Sequence, residues 1–363
     1  MTENMKKYMK KRQVLIRSYT ANNLGDDLMV YILIHNFPNV DFYTDNYYDF
    51  STILDDINNY KALPLIHNQW FEPLNKLLRF LFSFRVQTTV EIGGSIFMFP
   101  EATQQIVKRL KRQNRKNYFI IGANFGPYSD EEDRQLGLTL FQKINSVVFR
   151  EKYSYDLFPE LTNSDYAADI VFNYLPKTNI EQKDQIVISI VNYTRFKNGE
   201  SYVKTIIELA EYYMLQNKKV ILLSFCETEG DDITSNRVET YFRVNRREYA
   251  NQLTTHTHKR LKDSLEIIQE SQIIIASRFH AMILGWIHRK QTIVLPYSNK
   301  FTNVIQDLFP EQTYFMIEDL ADVTIGDIVN SYFVADENRL NQYKSEAYKH
   351  FAKLEQALLE DFS

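Results

Sequence analysis

Four consecutive residues, Ser277-Arg278-Phe279-His280, carry the densest chemistry in this sequence. They follow the apolar run 273–276 and precede a helical pattern, so they stand where a strand gives way to a helix. The unpaired amides and positive dipole end of such a junction attract an anion. Arg278 adds a planar, permanently charged fork for carboxylate or phosphate. His280 adds a group that exchanges protons near neutral pH. A plainer reading stands beside this one: Ser277 caps the helix and Arg278 makes a structural ion pair. Arg150-Glu151, with Ser154 three residues on, ends another strand-like run. There Arg150 can reach across to a bound anion or simply pair with a neighbouring carboxylate. The loop 22–27 suits sugar hydroxyls or phosphate, or only a capped helix, with Asp26 fitted to the capping position. Gly93-Gly94-Ser95 and the stretch 122–128 are glycine loops, and neither has the dinucleotide or Walker A pattern.

Other chemical groups look less promising. His256 and His258 form a His-x-His pair, but no cysteine or carboxylate cluster accompanies them, so no metal site is expected. Cys226 follows a buried run without a basic neighbour and reads as inert. Arg246-Arg247 read as surface charge. The segment 74–85, LNKLLRFLFSFR, is strongly apolar, with Lys76, Arg79 and Arg85 as its only charges. It is expected to be a core helix whose basic side chains reach outward. The alternative is a helix lying in a membrane interface, with weak attraction to anionic lipid assisted by the basic N-terminus.

The elements that must position these residues are legible as a rhythm. Strand-like runs at 14–19, 90–92, 118–121 and 146–149 alternate with helical patterns at 27–35, 104–112 and 131–143, and 169–172 closes this half. After a polar stretch at 173–184 the rhythm restarts. Strands at 185–191, 220–225, 273–276 and 292–297 are interleaved with helices at 202–215 and 261–270, and a long helix spans 337–359. Short apolar strands alternating with helices indicate parallel sheets. A chain of 363 residues is long enough for two such cores. The expected fold is therefore α/β, with two doubly wound Rossmann-like domains, 1–175 and 176–363, facing a cleft in the GT-B manner. The terminal helix is expected to belong to the second domain. Five of the ten glycines, Gly25, Gly93, Gly94, Gly122 and Gly126, fall at or just beyond strand ends. Open α/β sheets bind ligands there.

Composition narrows the class. A net charge of −4 gives no general reason to expect nucleic-acid binding. A single cysteine excludes an intrachain disulfide and fits a reducing compartment. No apolar run has the length of a bilayer span and no stretch resembles a signal peptide. A cytoplasmic protein is expected, with any membrane contact peripheral and at the inner face.

Taken in order, these residues resemble the polysaccharide pyruvyl transferase family. The resemblance rests on Asn-Leu-Gly-Asp-Asp at 23–27, Gly93-Gly94, Gly122-x-x-x-Gly126-Pro127 and Arg150-Glu151-x-x-Ser154. It continues through Asp169, Ser277-Arg278-Phe279-His280 and Tyr297-x-x-Lys300. Ser95 departs from it, standing where the family often has a third glycine. The resemblance implies transfer of pyruvate from phosphoenolpyruvate onto sugar hydroxyls as a ketal, in the synthesis of a bacterial cell-surface polysaccharide such as a capsule or exopolysaccharide. It implies a saccharide acceptor, lipid-linked in many cases, and no metal or redox cofactor. Arg150, Ser277, Arg278, His280 and Lys300 would then hold phosphoenolpyruvate, with His280 and Arg278 catalytic. Asn23, Gly25, Asp26, Gly93, Gly94, Ser95 and Asn124 would face the acceptor. Asp26 and Glu151 are both open as acceptors of the hydroxyl proton. The rival readings are a GT-B glycosyltransferase using a nucleotide sugar and a non-catalytic carbohydrate-binding protein of the same fold.

Overall fold

Buried, β-branched runs flanked by helices favour a place inside a parallel sheet. In the computed structural model, which describes residues 12–19, 21–45, 57–112, 117–178 and 180–360, two such sheets form. The first has seven strands in the order β3-β2-β1-β4-β5-β6-β7. These are β1 (Arg12–Ser18), β2 (Val40–Thr44), β3 (Tyr60–Ala62), β4 (Thr88–Ile92), β5 (Asn117–Ala123), β6 (Ser146–Phe149) and β7 (Ser164–Tyr166). The second has five, in the order β10-β9-β8-β11-β12. These are β8 (Gln185–Ile190), β9 (Lys219–Ser224), β10 (Leu253–Thr257), β11 (Ile273–Ala276) and β12 (Gln291–Val294). Every pairing in both sheets is parallel. The architecture is the two-domain α/β, Rossmann-like arrangement that the rhythm of the sequence implies.

Strand order reverses between β1 and β4 in the first sheet and between β8 and β11 in the second. A reversal leaves a crevice at the carboxyl ends of the flanking strands. The loop after β1 leads into helix α1 (Leu24–Asn36), and the loop after β4 carries Gly93-Gly94-Ser95. The residues after β11 are Ser277-Arg278, which lead into a helix at Phe279–Ile287.

The two domains are joined by more than the chain between them. The amide of Leu24 donates to Phe225 O at 3.0 Å, and Asn22 Nδ2 donates to His258 O at 2.9 Å. His258 Nε2 lies 3.0 Å from Asp27 Oδ2, and its Nδ1 lies 2.9 Å from Ser264 Oγ. Burial pushes the Asp27 carboxyl up and the His258 ring down to about 4. His256 Nε2 also meets Ser264 Oγ, at 3.3 Å. Among the described residues no group of three or more His, Cys, Asp or Glu is placed to hold a metal ion.

The terminal helix corrects an expectation. It is broken at Tyr348 into Glu337–Ala347 and Lys349–Glu360, and the second piece lies against β5 and β6 of the first domain. His350 fixes it there, accepting from the Gly122 amide at 3.2 Å through Nδ1 and donating to Ala168 O at 2.9 Å through Nε2. Phe351 and Leu354, four and seven residues on from Ala347, are buried in the same core.

The segment 74–85 is helical as expected, within α2 (Glu72–Arg85). Of its apolar residues only Leu78 and Phe82 turn inward, half-buried, with Phe82 against Tyr43. Leu74, Leu77, Phe80, Leu81 and Phe84 are all exposed. The basic N-terminal residues 1–11 lie outside the described residues. Among the described residues, no helix is long and apolar enough to cross a membrane.

Candidate active site

The two crevices face each other across a cavity of about 1260 Å³. Its walls include Asn23, Asp26, Gly94, Ser95, Asn124, Arg150 and Glu151 from the first domain. Arg278, His280, Tyr297, Ser298, Asn299 and Lys300 line it from the second. Residues spread over the whole sequence are thus brought into one cleft, and both domains contribute charge to it.

Helix α1 positions the first group. Asn23, not Asp26, is its cap: the Asn23 side chain accepts from the Gly25 amide at 3.1 Å. The expected cap is therefore free of that duty. Asp26 is the third residue of the first helical turn and borders the cavity. Its carboxyl makes no hydrogen bond among the described residues. Burial pushes it up to about 6, although the charges of His280 and Arg150 pull the other way. A carboxylate poised near neutral pH is suited to accept a proton.

Arg150, just past β6, is buried in the middle of the site. Its Nη1 lies 3.2 Å from Asp169 Oδ2, its Nη2 donates to Asn124 Oδ1 at 2.7 Å, and its guanidinium stacks 4.3 Å from the Phe279 ring centre. His280 meets this group from the other domain: Nε2 lies 3.4 Å from Arg150 Nη1 and 3.7 Å from Asp169 Oδ2. Burial works to raise the Asp169 carboxyl. The nearby His280 ring and the charges of His280 and Arg150 overcome that and hold it well below the ordinary carboxylate range. Asp169 therefore stays ionised beside the imidazole, orienting the ring and balancing its charge when it is protonated.

The glycines make room for these groups. A Cβ on Gly25 would stand 1.8 Å from His280 Nδ1, and one on Gly94 would stand 2.2 Å from Arg150 Nη1. Gly25 and Gly94 thus support the charged residues by letting them lie against bare backbone. Asn124 is likewise engaged with Arg150, and Ser95 Oγ donates to Asn124 Oδ1 at 3.5 Å. Gly93 is not part of the cavity wall, and a Cβ on it would stand 2.9 Å from Ile96 Cγ2.

Arg278 caps the helix at Phe279–Ile287 through its backbone, but its side chain is already engaged. Nε donates to Asp231 Oδ2 at 3.0 Å, Nη2 pairs with Asp231 Oδ1, and Nη1 donates to Glu229 Oε2 at 2.6 Å. Burial works against its charge, but the two carboxylates outweigh it and raise its pKa further. The structural ion pair weighed from sequence is therefore present, while one face of the group still borders the cavity. Ser277 is fully buried behind the wall, where its hydroxyl accepts from Tyr202 Oη at 3.0 Å and its amide donates to Ser189. It caps nothing and does not line the cavity.

The last cationic corner lies at the start of the helix Asn299–Leu308. Lys300 Nζ donates to Tyr297 Oη at 2.9 Å. Burial would raise the Tyr297 phenol, but the charges of Lys300 and Arg278 bring it below its ordinary value. The Ser298 hydroxyl is buried with no hydrogen-bond partner among the described residues. Helix amides, a lysine and an unpartnered hydroxyl together can receive a phosphate.

Glu151 is less available. It accepts from Ser154 Oγ at 2.6 Å and from Asn303 Nδ2 at 3.3 Å. Sequence reasoning missed Glu229 and Asp231, which hold Arg278, and Arg195, which pairs with Glu229, because they lie on other connections of the sheet. It also missed the pair Glu91–Arg109 in a side lobe, where Arg109 Nε donates to both Glu91 oxygens at 2.9 Å. A charged residue within a buried strand, as at Glu91 in β4, is the signal that could have marked the second pair.

Comparison with known proteins bears on both fold and family. The sequence model of the family described as polysaccharide pyruvyl transferase matches residues 23–299. Among solved structures, the UDP-N-acetylglucosamine 2-epimerase of Rickettsia bellii is similar with a TM-score of 0.59 and 11% identity, over 96% of this chain and 97% of that one. The Methanocaldococcus jannaschii UDP-GlcNAc 2-epimerase, in complex with UDP-GlcNAc and UDP, gives 0.55 and 11%, over 92% and 98%. The sucrose-phosphate synthase of Thermosynechococcus elongatus gives 0.50 and 10%, over 97% and 99%. At such identities the likeness is one of fold, the GT-B arrangement.

Proposed function

Because the chain belongs to the polysaccharide pyruvyl transferase family, we propose that it moves pyruvate from phosphoenolpyruvate onto two hydroxyls of a sugar, as a ketal, in building a bacterial cell-surface polysaccharide. The observation that carries this reading is the meeting of Arg150, His280 and Asp169 across the domain boundary, with Asp26 and Lys300 on the same cavity.

The donor carries a carboxylate and a phosphate, and the cavity has two regions matched to them. The phosphate fits the corner formed by Ser298, Asn299 and Lys300, and Arg150 lies within the cavity for the carboxylate. Arg278, held by Glu229 and Asp231, contributes positive potential and fixes the wall more than it offers a free fork. Ser277 supports that wall from behind.

The reaction begins with proton transfer to the vinyl carbon C3, which becomes the methyl group and leaves C2 electrophilic. His280 supplies that proton, with ionised Asp169 balancing the imidazolium. One sugar oxygen bonds to C2, and Asp26 takes its proton. The second hydroxyl then attacks C2, the C2–O bond to phosphate breaks, and the ketal closes. Of the two hydroxyl protons released, one replaces the proton delivered to C3 and the other leaves with inorganic phosphate. Asp26 is preferred over Glu151 as the base because Glu151 already accepts two hydrogen bonds. Asn23, Gly94 and Ser95 line the same cavity as Asp26 from the first domain, where the sugar would rest. The chemistry calls on acid, base and anion-binding groups, all of which the chain provides.

The test is phosphate release. The protein incubated with phosphoenolpyruvate and a panel of saccharides bearing neighbouring free hydroxyls is expected to release phosphate only with a matching acceptor, in step with pyruvylated product. Transfer of sugar from a UDP-sugar to the same acceptors, without use of phosphoenolpyruvate, would overturn the reading in favour of a glycosyltransferase.

A further inference from the structure

Helix α2 (Glu72–Arg85) turns most of its apolar residues outward, leaving Leu78 and Phe82 half-buried, with the Phe82 ring against Tyr43. A surface helix ordinarily turns its apolar stripe to the core and its polar face to water. Here the inward positions include Asn75, which is buried and exchanges hydrogen bonds with both backbone groups of Ile66 at 3.0 and 2.8 Å. They also include Arg79, whose Nε donates to Asp45 O at 3.1 Å and whose Nη1 pairs with Glu72 at 2.9 Å. The outward positions are Leu74, Leu77, Phe80, Leu81 and Phe84, between 42% and 68% exposed. Trp70, in the turn before the helix, is 85% exposed. Single exposed apolar residues are ordinary, but a contiguous stripe of this size marks an interaction surface.

We propose that this stripe docks on an anionic lipid surface. Lys76 and Arg85 are exposed on the same helix, while its acidic residue, Glu72, is paired with Arg79. In a protein of net charge −4, this leaves a local basic rim around an apolar face. That combination fits acyl chains beneath anionic headgroups. A two-fold pairing with a second copy would instead bring the same cations towards each other across one interface.

The position of the helix adds a consequence. The Leu63 amide donates to Thr44 O at 3.1 Å, at the carboxyl end of β2, and Arg79 is tied to Asp45 at the same edge. Helix α2 is thus tied to the carboxyl end of β2, the end of the first sheet at which the cleft opens. Docking through α2 turns the cleft mouth towards the headgroups, where an acceptor carried on lipid would be presented. The docking stands independently of the pyruvyl-transfer reading; only the lipid-linked acceptor rests on it.

The experiment is co-sedimentation of the full chain with phosphatidylcholine vesicles, with and without phosphatidylglycerol, at low and high salt. Binding is expected to be on the order of ten-fold greater to the anionic vesicles at low salt and to fall with added salt. Trp70 fluorescence should shift to the blue on binding, because the other tryptophan, Trp286, is already buried. Leu77→Ser/Phe80→Ser/Phe84→Ser should lose binding while keeping the thermal unfolding of the wild type. Phe84→Ser alone, a change at an outward position, should lose several-fold. Absence of wild-type binding at low salt, or undiminished binding of both variants, would overturn the proposal. So would a concentration-dependent dimer that the triple substitution dissolves, since a second copy would then be the occupant. Stabilisation by phosphoenolpyruvate, measured on the same samples, separates this outcome from failure of the proposed activity.

Discussion

At the scale of single residues, the site is a balance of charges held close together. His280 and Asp26 face the cavity from opposite domains, one placed to give a proton and the other to take one. His280→Ala should lower turnover at saturating phosphoenolpyruvate by about 10²–10⁴-fold, the usual worth of a positioned acid or base. Near wild-type phosphate release from that variant would exclude His280 from proton transfer. Asp26 has a pH signature of its own, because its carboxyl is pushed up to about 6. It accepts protons only when ionised, so kcat/KM should fall as pH drops through about 6, and Asp26→Asn should lose both activity and that limb. The folded value lies above the unfolded one, so the folded chain binds the extra proton at pH values between them. Stability is thus lost as pH rises through that window, and burying the charge costs stability at neutral pH. Asp26→Asn should therefore be more stable than wild type by about 1–3 kcal/mol at pH 7 in denaturant titrations. A variant that is inactive and also less stable would argue for a structural role.

At the scale of elements, the position of the glycines says most about how the site was built. Gly25 is in α1 and Gly94 is in the loop after β4, and each lies against a charged side chain from elsewhere. Gly25→Ala should displace the His280 ring and lower turnover by at least about 10²-fold, with little change in secondary structure by circular dichroism. Gly94→Ala should act through Arg150, chiefly raising the KM for phosphoenolpyruvate. Unchanged kinetics in both would show that the contacts do not matter to the chemistry. Much of this level was legible in the sequence. Runs such as 146–149, 261–270 and 273–276 are bounded by polar residues on both sides, and the structure has elements with those bounds. Other elements gave no such signal. Strand β10 reads Leu-Thr-Thr-His-Thr on a sheet edge, with no apolar run to mark it. The helix at 74–85 was visible, but its orientation was not, because periodicity identifies a stripe without saying which way it faces. The partners of Arg278 were hidden for a third reason: Asp231 is 47 residues away, and only the pairing of neighbouring strands brings it near.

For the whole molecule, the cleft depends on two domains holding a fixed relation. The chain uses buried histidines for this, His258 against Asp27 and His350 between the terminal helix and the first sheet. Burial pushes His350 down to about 4, against the pull of Asp169. In the unfolded chain it takes up a proton near its ordinary value, so stability should be lost as pH falls from about 6.5 towards 4. His350→Leu should remove that contribution to the pH dependence. It should also cost about 2–4 kcal/mol at neutral pH, because it leaves the Gly122 amide and the Ala168 carbonyl buried and unpaired. Denaturant midpoints measured across that pH range check both points. An unaltered pH profile would show that the helix is not anchored through the ring.

The central claim is that the cleft takes phosphoenolpyruvate as its donor. The most direct measurement is thermal unfolding of the protein with phosphoenolpyruvate and, separately, with UDP-sugars. A ligand that binds the folded state at about a hundred times its Kd adds about 2.7 kcal/mol of stability. The account predicts a rise of several degrees with phosphoenolpyruvate that is diminished in Lys300→Ala, and none with UDP-sugars. Stabilisation by UDP-sugars alone, with phosphoenolpyruvate inert, would contradict it.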